Sequence, residues 1–253
     1  MKTIEVDHAK EFKNAPPCFY FIDPFGPTGV SFECVSHLLS RPTSEVLINF
    51  DADGVGRIFE AGEDANHEIL LDRIFGKGAW QDHLTKGMDF NTLTRRALSL
   101  YKARLRGIPN IKYVFSFEMR GRKSSPLYYL IFASQNPLGL EKMKEAMKSV
   151  DKSGRYSFYA ADIGQEVLFD FEDPIKFGEA LHTNFKSNTI DYSSVVDYAL
   201  NETPFLNPKK MLKHLEGRGL IEIISKGSAP KRRSGTYPDG TISKIIFLEN
   251  RNV

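Results

Sequence analysis

Pro16-Pro17-Cys18-Phe19-Tyr20-Phe21-Ile22-Asp23-Pro24-Phe25-Gly26 is the stretch on which the architecture turns. Five successive apolar residues, entered from two prolines and left through Asp-Pro-Phe-Gly, predict a strand buried on both faces in the middle of a parallel sheet. Downstream, Val35, Leu38 and Leu39 recur at helical spacing, and 44–50 supplies a second apolar strand around Val46, Leu47 and Ile48. Strand, helix and strand make a βαβ unit. Helical periodicity returns over 65–75 and 90–105, where Leu93, Ala97, Leu100 and Leu105 share a face. Two strands at 111–119 and 127–134 flank the turn-prone 120–126 and are expected to pair as a hairpin. Asn136-Pro137 then opens a helix with Met143, Met147 and Val150 as its core stripe. The order predicts an α/β domain over 1–160, a mixed sheet with an antiparallel edge.

From 161 to 188 the chain is acidic, weakly periodic and broken by Pro174 and Gly178, which reads as a connecting segment. The remainder, 189–253, has another character. A helix with Val195, Val196 and Leu200 is followed by Thr203-Pro204-Phe205. A second helix, capped by Asn207-Pro208, carries Met211, Leu212 and Leu215. Two strands, 220–224 and 242–248, then flank a loop rich in Gly, Pro and basic residues. Helix, turn, helix and β-ribbon make a winged-helix-like domain.

With 34 basic and 32 acidic side chains the net charge is only +2, but its distribution is uneven. Between Asn207 and Arg233 eight Lys or Arg stand against two Glu, so the rest of the chain is net acidic. Lys209, Lys210 and Lys213 fall on one helix, and Lys231, Arg232 and Arg233 are expected at the wing tip. Together they are candidate contacts to the phosphates of DNA or RNA. A protein-binding wing whose charge only solubilises it is the alternative. A second basic cluster runs from Lys102 to Lys123.

The composition, 41% hydrophobic and 26% charged, is that of a folded globular chain. No apolar run approaches the ~18 residues of a membrane span, and the first twenty residues lack a signal-peptide pattern, so the cytoplasm is the expected compartment. Cys18 and Cys34 lack metal or disulfide spacing and read as buried thiols. The six histidines form no metal-binding spacing, and each is expected at the surface or a helix cap. Gly54-x-Gly56 reads as a turn rather than a phosphate loop, because Phe59 holds the third glycine position and Asp51 and Asp53 would face an anion.

Taken together, four segments resemble the three-Cys-motif partner proteins, bacterial and archaeal relatives of class I methyltransferases. They are Phe19-Tyr20-Phe21-Ile22-Asp23-Pro24-Phe25-Gly26, Glu45-Val46-Leu47-Ile48-Asn49-Phe50, Tyr128-Tyr129-Leu130-Ile131-Phe132-Ala133 leading into Asn136-Pro137-Leu138-Gly139-Leu140-Glu141-Lys142-Met143, and Thr203-Pro204-Phe205. The resemblance implies a partial Rossmann-like, class I methyltransferase-like sheet, S-adenosylmethionine as cofactor, and a radical-SAM-like three-Cys protein as partner. It also implies that Asp23, Pro24 and Phe25 correspond to the Asp-Pro-Pro-Tyr motif of amino-methyltransferases. At a strand's carboxyl end a carboxylate can accept hydrogen bonds from an exocyclic amine, and an aromatic ring can stack on a base. The same residues are also a common way to leave a strand.

The family's glycine-rich cofactor segment precedes the part seen here. Only about seventeen residues stand before Cys18, where two βα units need on the order of 60. The cofactor-binding half is therefore expected to be missing and one sheet edge bare. A truncated frame, a split protein completed by another polypeptide, and a homo-oligomer all fit. Two functions follow: a methyltransferase-like protein acting on or recruited to nucleic acid without autonomous activity, or a non-catalytic scaffold assembling with the three-Cys protein or with itself.

Overall fold

The computed structural model describes residues 16–62, 65–120, 128–150, 157–159, 173–227, 232–238 and 240–249. They divide into two compact units, one through Tyr159 and the other from Asp173. The first contains β1 (Cys18–Ile22), α1 (Phe32–Ser40), β2 (Ser44–Asp51), α2 (Ala52–Glu60), α3 (Ala65–Phe75) and α4 (Phe90–Arg106). After these come β3 (Tyr113–Arg120), β4 (Tyr128–Ser134), α5 (Pro137–Val150) and β5 (Ser157–Tyr159).

The five strands run in the order β1-β2-β4-β3-β5. β1 is parallel to β2, β4 is antiparallel to both β2 and β3, and β5 is parallel to β3. The βαβ unit and the β3–β4 pairing are as the sequence predicts, but the antiparallel strand is not at the edge. β4 sits inside the sheet because the chain inserts it between β2 and β3.

β1 is likewise not central: among the described residues it pairs on one side only, with β2. Nor is it buried on both faces. Tyr20 and Ile22 pack toward the main core, whereas Phe19 and Phe21 remain 52% and 58% exposed. The unbroken apolar run therefore marks one buried face plus one face that no described element covers, a distinction that periodicity cannot make.

Val46, Ile48 and Phe50 of β2, Tyr129, Ile131 and Ala133 of β4, and Val114 of β3 form the face of the main core. Against them pack Val35 and Leu39 of α1, Val55 of α2, Phe75 of α3 and Leu93, Ala97 and Tyr101 of α4. The opposite face is covered over β3 and β4 by α5, whose buried residues are Leu140, Lys144 and Met147. The expected stripe of Met143, Met147 and Val150 is displaced, with Val150 60% exposed. Fully buried Lys144 takes a core position, its Nζ 4.4 Å from the centre of the Phe115 ring, so polarity misplaces the stripe.

Gly54 and Gly56, read as a turn, lie instead in the first turns of α2. A Cβ at Gly56 would stand 2.7 Å from the Phe90 ring and 3.3 Å from Thr94 Cγ2, so the glycine lets α2 approach α4. Gly56→Ala is expected to overpack this contact and lower stability by about 1–3 kcal/mol. Urea unfolding followed through Trp80, which packs edge-on to Phe59 of the same helix, measures the loss.

The second unit contains α6 (Pro174–Phe185), β6 (Thr189–Asp191), α7 (Tyr192–Glu202), α8 (Lys209–Gly217), β7 (Ile221–Ser225) and β8 (Ile242–Phe247). Its sheet is antiparallel, in the order β6-β8-β7. α6 falls in the stretch read as a connecting segment. Asp173 caps it by accepting from the Ile175 and Lys176 amides at 2.8 and 3.2 Å, Pro174 occupies its first turn, and Leu181 packs among Met211, Leu215 and Phe247. Pro174 therefore starts a helix here rather than breaking one. His182 in α6 is a buried residue with Nε2 2.8 Å from the Leu248 carbonyl, not the surface or cap position expected of it. Cys34 is exposed on α1, and Cys18 is half-buried. Among the described residues no helix is long and apolar enough to cross a membrane.

Candidate functional site

Asp23 follows β1 directly, at the carboxyl ends of the parallel pair β1–β2. The register places Phe21 beside Leu47 and Ile22 beside Ile48, which brings Asp23 next to Asn49. Asn49 Nδ2 donates to Asp23 Oδ1 at 2.8 Å. Asp23 is exposed, and Asn49 Oδ1 is buried with no hydrogen-bond partner among the described residues.

The loop after Asp23 is shaped by its own turn residues. Gly26 has φ +79°, a conformation that favours glycine, and its carbonyl accepts from the Gly29 amide at 3.3 Å. Arg73 Nε ties the Thr28 carbonyl at 2.8 Å, and Pro27 abuts Gly54, where a Cβ would lie 2.9 Å from Pro27 Cδ. This fold-back leaves the Phe25 ring fully exposed. Asp23, Pro24 and Phe25 are thus together at a strand tip.

A small void beside Ile22, Pro24 and Asn49 holds about 20 Å³, roughly one water. The start of α2 offers no phosphate cradle, because Asp51 caps it, accepting from the Gly54 amide at 2.7 Å with Arg57 3.7 Å away.

A hollow of about 800 Å³ lies at the other end of β1, on the face it shares with α5. Phe19, Leu138, Met143 and Ala146 wall it, and Glu45 and Ser134 contribute polar atoms. Ser134 Oγ donates to Glu45 Oε1 at 2.8 Å, and Gly139 in the first turn of α5 leaves room for that carboxylate. This groove continues the exposed face of Phe19 and Phe21.

In the second unit the basic residues separate. Lys209 and Lys210 of α8 lie opposite its buried face of Met211, Leu212 and Leu215, and Lys213 is exposed one turn later. The Lys213 stem runs past Gly235, where a Cβ would meet its Cγ at 3.6 Å, so α8 and the base of the β7–β8 loop adjoin. Arg233 is exposed on that loop, and Lys231 lies outside the described residues.

Arg232 is not the free phosphate contact expected of it. Its guanidinium is only 13% exposed and pairs with Glu216 of α8. Glu216 also accepts from the Gly235 amide at 2.7 Å and the Tyr237 hydroxyl at 2.6 Å. Burial alone would raise the Glu216 pKa, but bonds from Arg232, Tyr237 and Gly235 outweigh it and hold the value at about 2. Burial and the carboxylate together raise the Tyr237 pKa. Arg232 thus anchors the loop and leaves Arg233 to face outward. Of the second basic cluster, Arg104 and Arg106 hold the carbonyls of Phe75 and Val114 at 2.9 and 3.3 Å, while Arg122 and Lys123 lie outside the described residues.

Asn49 and Glu216 are the members of these constellations that sequence reading passes over. Their signals are a lone amide inside an apolar strand and the only acid in the helix 209–217. Compared with known proteins, the chain matches no family model, no curated protein and no solved structure.

Proposed function

We propose that the first unit is the acceptor-side part of a class I methyltransferase-like sheet and that the second is a winged helix recruiting it to nucleic acid. The observation that carries the first half is strand order: parallel β1 and β2, then the antiparallel β4 interposed before β3, with Asp-Pro-Phe at the tip of β1. In the fold this chain resembles, the strand bearing that motif is followed by one parallel neighbour and then by an antiparallel strand slotted in ahead of the last. The donor-binding strands of such a sheet would add to β1 on the side where no described strand pairs with it. Asp23 would then border a crevice formed by both parts and orient an amine for transfer from S-adenosylmethionine. The cofactor would supply the methyl group, and Asp23 would supply positioning.

For the second unit, the order helix, strand, helix, helix and hairpin, with β6 pairing beside β8, supports the winged-helix reading. α8 is its candidate recognition helix, presenting Lys209, Lys210 and Lys213.

A second reading, a scaffold that assembles with a three-Cys radical-SAM-like protein or with its own copy, is favoured by the groove beside Phe19 and Phe21, which lies away from Asp23. Isothermal titration of the chain with S-adenosylmethionine is expected to give no binding heat, and tight binding would overturn a donor site lying outside these strands. Asp23→Ala in a complex that methylates separates the two readings. Lost transfer with assembly intact supports the acceptor site, and lost assembly alone supports the scaffold.

A further inference from the structure

We propose that the hollow beside Phe19 binds a small organic cation, a protonated primary amine on an apolar body, with Glu45 as the carboxylate that receives it. The site lies at the opposite end of β1 from Asp23 and stands independently of the acceptor reading. Strand register sets its arrangement. Phe19 of β1, Glu45 of β2 and Ser134 of β4 are direct neighbours across three strands. Alternate residues share a face, so the next row on this side is Phe21, Leu47 and Phe132. A polar row and an apolar row therefore adjoin, and Leu138 and Met143 of α5 wall the space above them. Its volume of about 800 Å³ is that of a small-molecule site, where apolar walls surround a few convergent polar groups.

Charge selects the occupant. Glu45 and Lys142 are the charged residues that line the hollow, and Lys142 Nζ is already held by Glu145 at 2.8 Å. Glu45 forms no ion pair among the described residues. Its Oε1 accepts from fully buried Ser134, and no described residue donates to Oε2. A carboxylate only accepts, so the occupant must bring an N–H, and an ammonium brings one with opposite charge. The Phe19 ring, half-exposed on the neighbouring strand, attracts the same cation and gives its apolar body a surface to cover.

The test is an NMR titration of the whole chain at pH 7, followed on the Met143 methyl group and the Gly139 amide, with 4-phenylbutylamine, 4-phenylbutanol and 4-phenylbutyrate. The amine is expected to shift both signals. The alcohol should bind about tenfold more weakly, the effect of one hydrogen bond to a charged group, and the butyrate should not bind. Glu45→Gln keeps an acceptor for Ser134 and removes the charge, so amine affinity should fall to the alcohol's level while alcohol affinity stays put. Phe19→Ala, at an exposed position, should weaken both by about threefold. A preference for the amine that survives Glu45→Gln overturns the proposal, as do equal losses of both probes in that variant or unchanged affinities in Phe19→Ala. Butyrate binding as tight as the amine's overturns it too, by handing the site to Lys142 and the amides that open α5. Should none of the three probes move these signals in the unaltered chain, the small-molecule occupant falls and the hollow is left to a macromolecular partner. Each of these results leaves the reading of Asp23 where its own experiments put it.

Discussion

Glu216→Ala is expected to lower the stability of the second unit by about 3–5 kcal/mol, because it leaves the nearly buried Arg232 guanidinium without its counter-charge. It also removes the acceptor of the Gly235 amide and the Tyr237 hydroxyl. The depressed pKa sets the pH dependence. A carboxyl held at about 2, against an ordinary value of 4.5, contributes about 3 kcal/mol that is fully present above pH ~4.5. That contribution is lost as the pH falls from there through about 2. Glu216→Gln should therefore cost stability at pH 7 and abolish most of the difference between pH 5 and pH 2.5. The sole tryptophan, Trp80, belongs to the first unit, so its fluorescence is an internal control that should not move. Near-ultraviolet tyrosine circular dichroism, which includes Tyr237, reports the second unit. Equal stability of Glu216→Ala and the unaltered chain would show that the buried pair does not anchor the loop.

Replacing Lys209, Lys210 and Lys213 together by alanine is expected to weaken binding to duplex nucleic acid by about two to three orders of magnitude at 0.1 M salt. The figure follows from releasing roughly three fewer counterions, at about 0.9 per phosphate contact. The logarithmic salt slope should flatten by about three in the same variant, whatever the sequence of the duplex. Arg233→Ala should remove about one further unit of slope. Arg232→Ala acts differently, by loosening the loop, and its loss of affinity should accompany a lower melting temperature. Fluorescence anisotropy over a salt series, set beside thermal melts, separates these cases. A slope that the triple substitution leaves untouched would assign the basic face to solubility or to a protein partner.

The spacing of apolar residues made α1 and α4 legible, since Val35 and Leu39, or Leu93, Ala97 and Leu100, recur at the helical period and are buried, whereas α2 was hidden behind two glycines that read as a turn. It could not place β1 in the sheet. Phe19 and Phe21 are as apolar as Tyr20 and Ile22, and which pair meets a neighbour depends on helices contributed by distant sequence. Lys144 misled for the complementary reason: its aliphatic stem fills a core position that its charge conceals. Asp23, Pro24 and Phe25 could be read as one group because they are contiguous. Asn49 joins them only through strand register, 26 residues away, and Glu216 meets Arg232 only when α8 and the β7–β8 loop come together. Pairings of this kind are written in tertiary contacts and leave no local pattern.

Prolines at positions 16, 17 and 24 bracket β1, an end strand of the first unit's sheet among the described residues. A prolyl nitrogen has no hydrogen to offer. Because the Cys18 amide donates to the Thr43 carbonyl at 3.2 Å, strand alternation turns only the Phe19 and Phe21 amides of Cys18–Ile22 toward an extended segment arriving on the other side, with Pro17 offering none before them. Sliding by two positions forfeits a large share of so short a ladder, and this confines an incoming strand to few alignments. So short a row of outward-facing donors is a poor template for endless stacking into fibres.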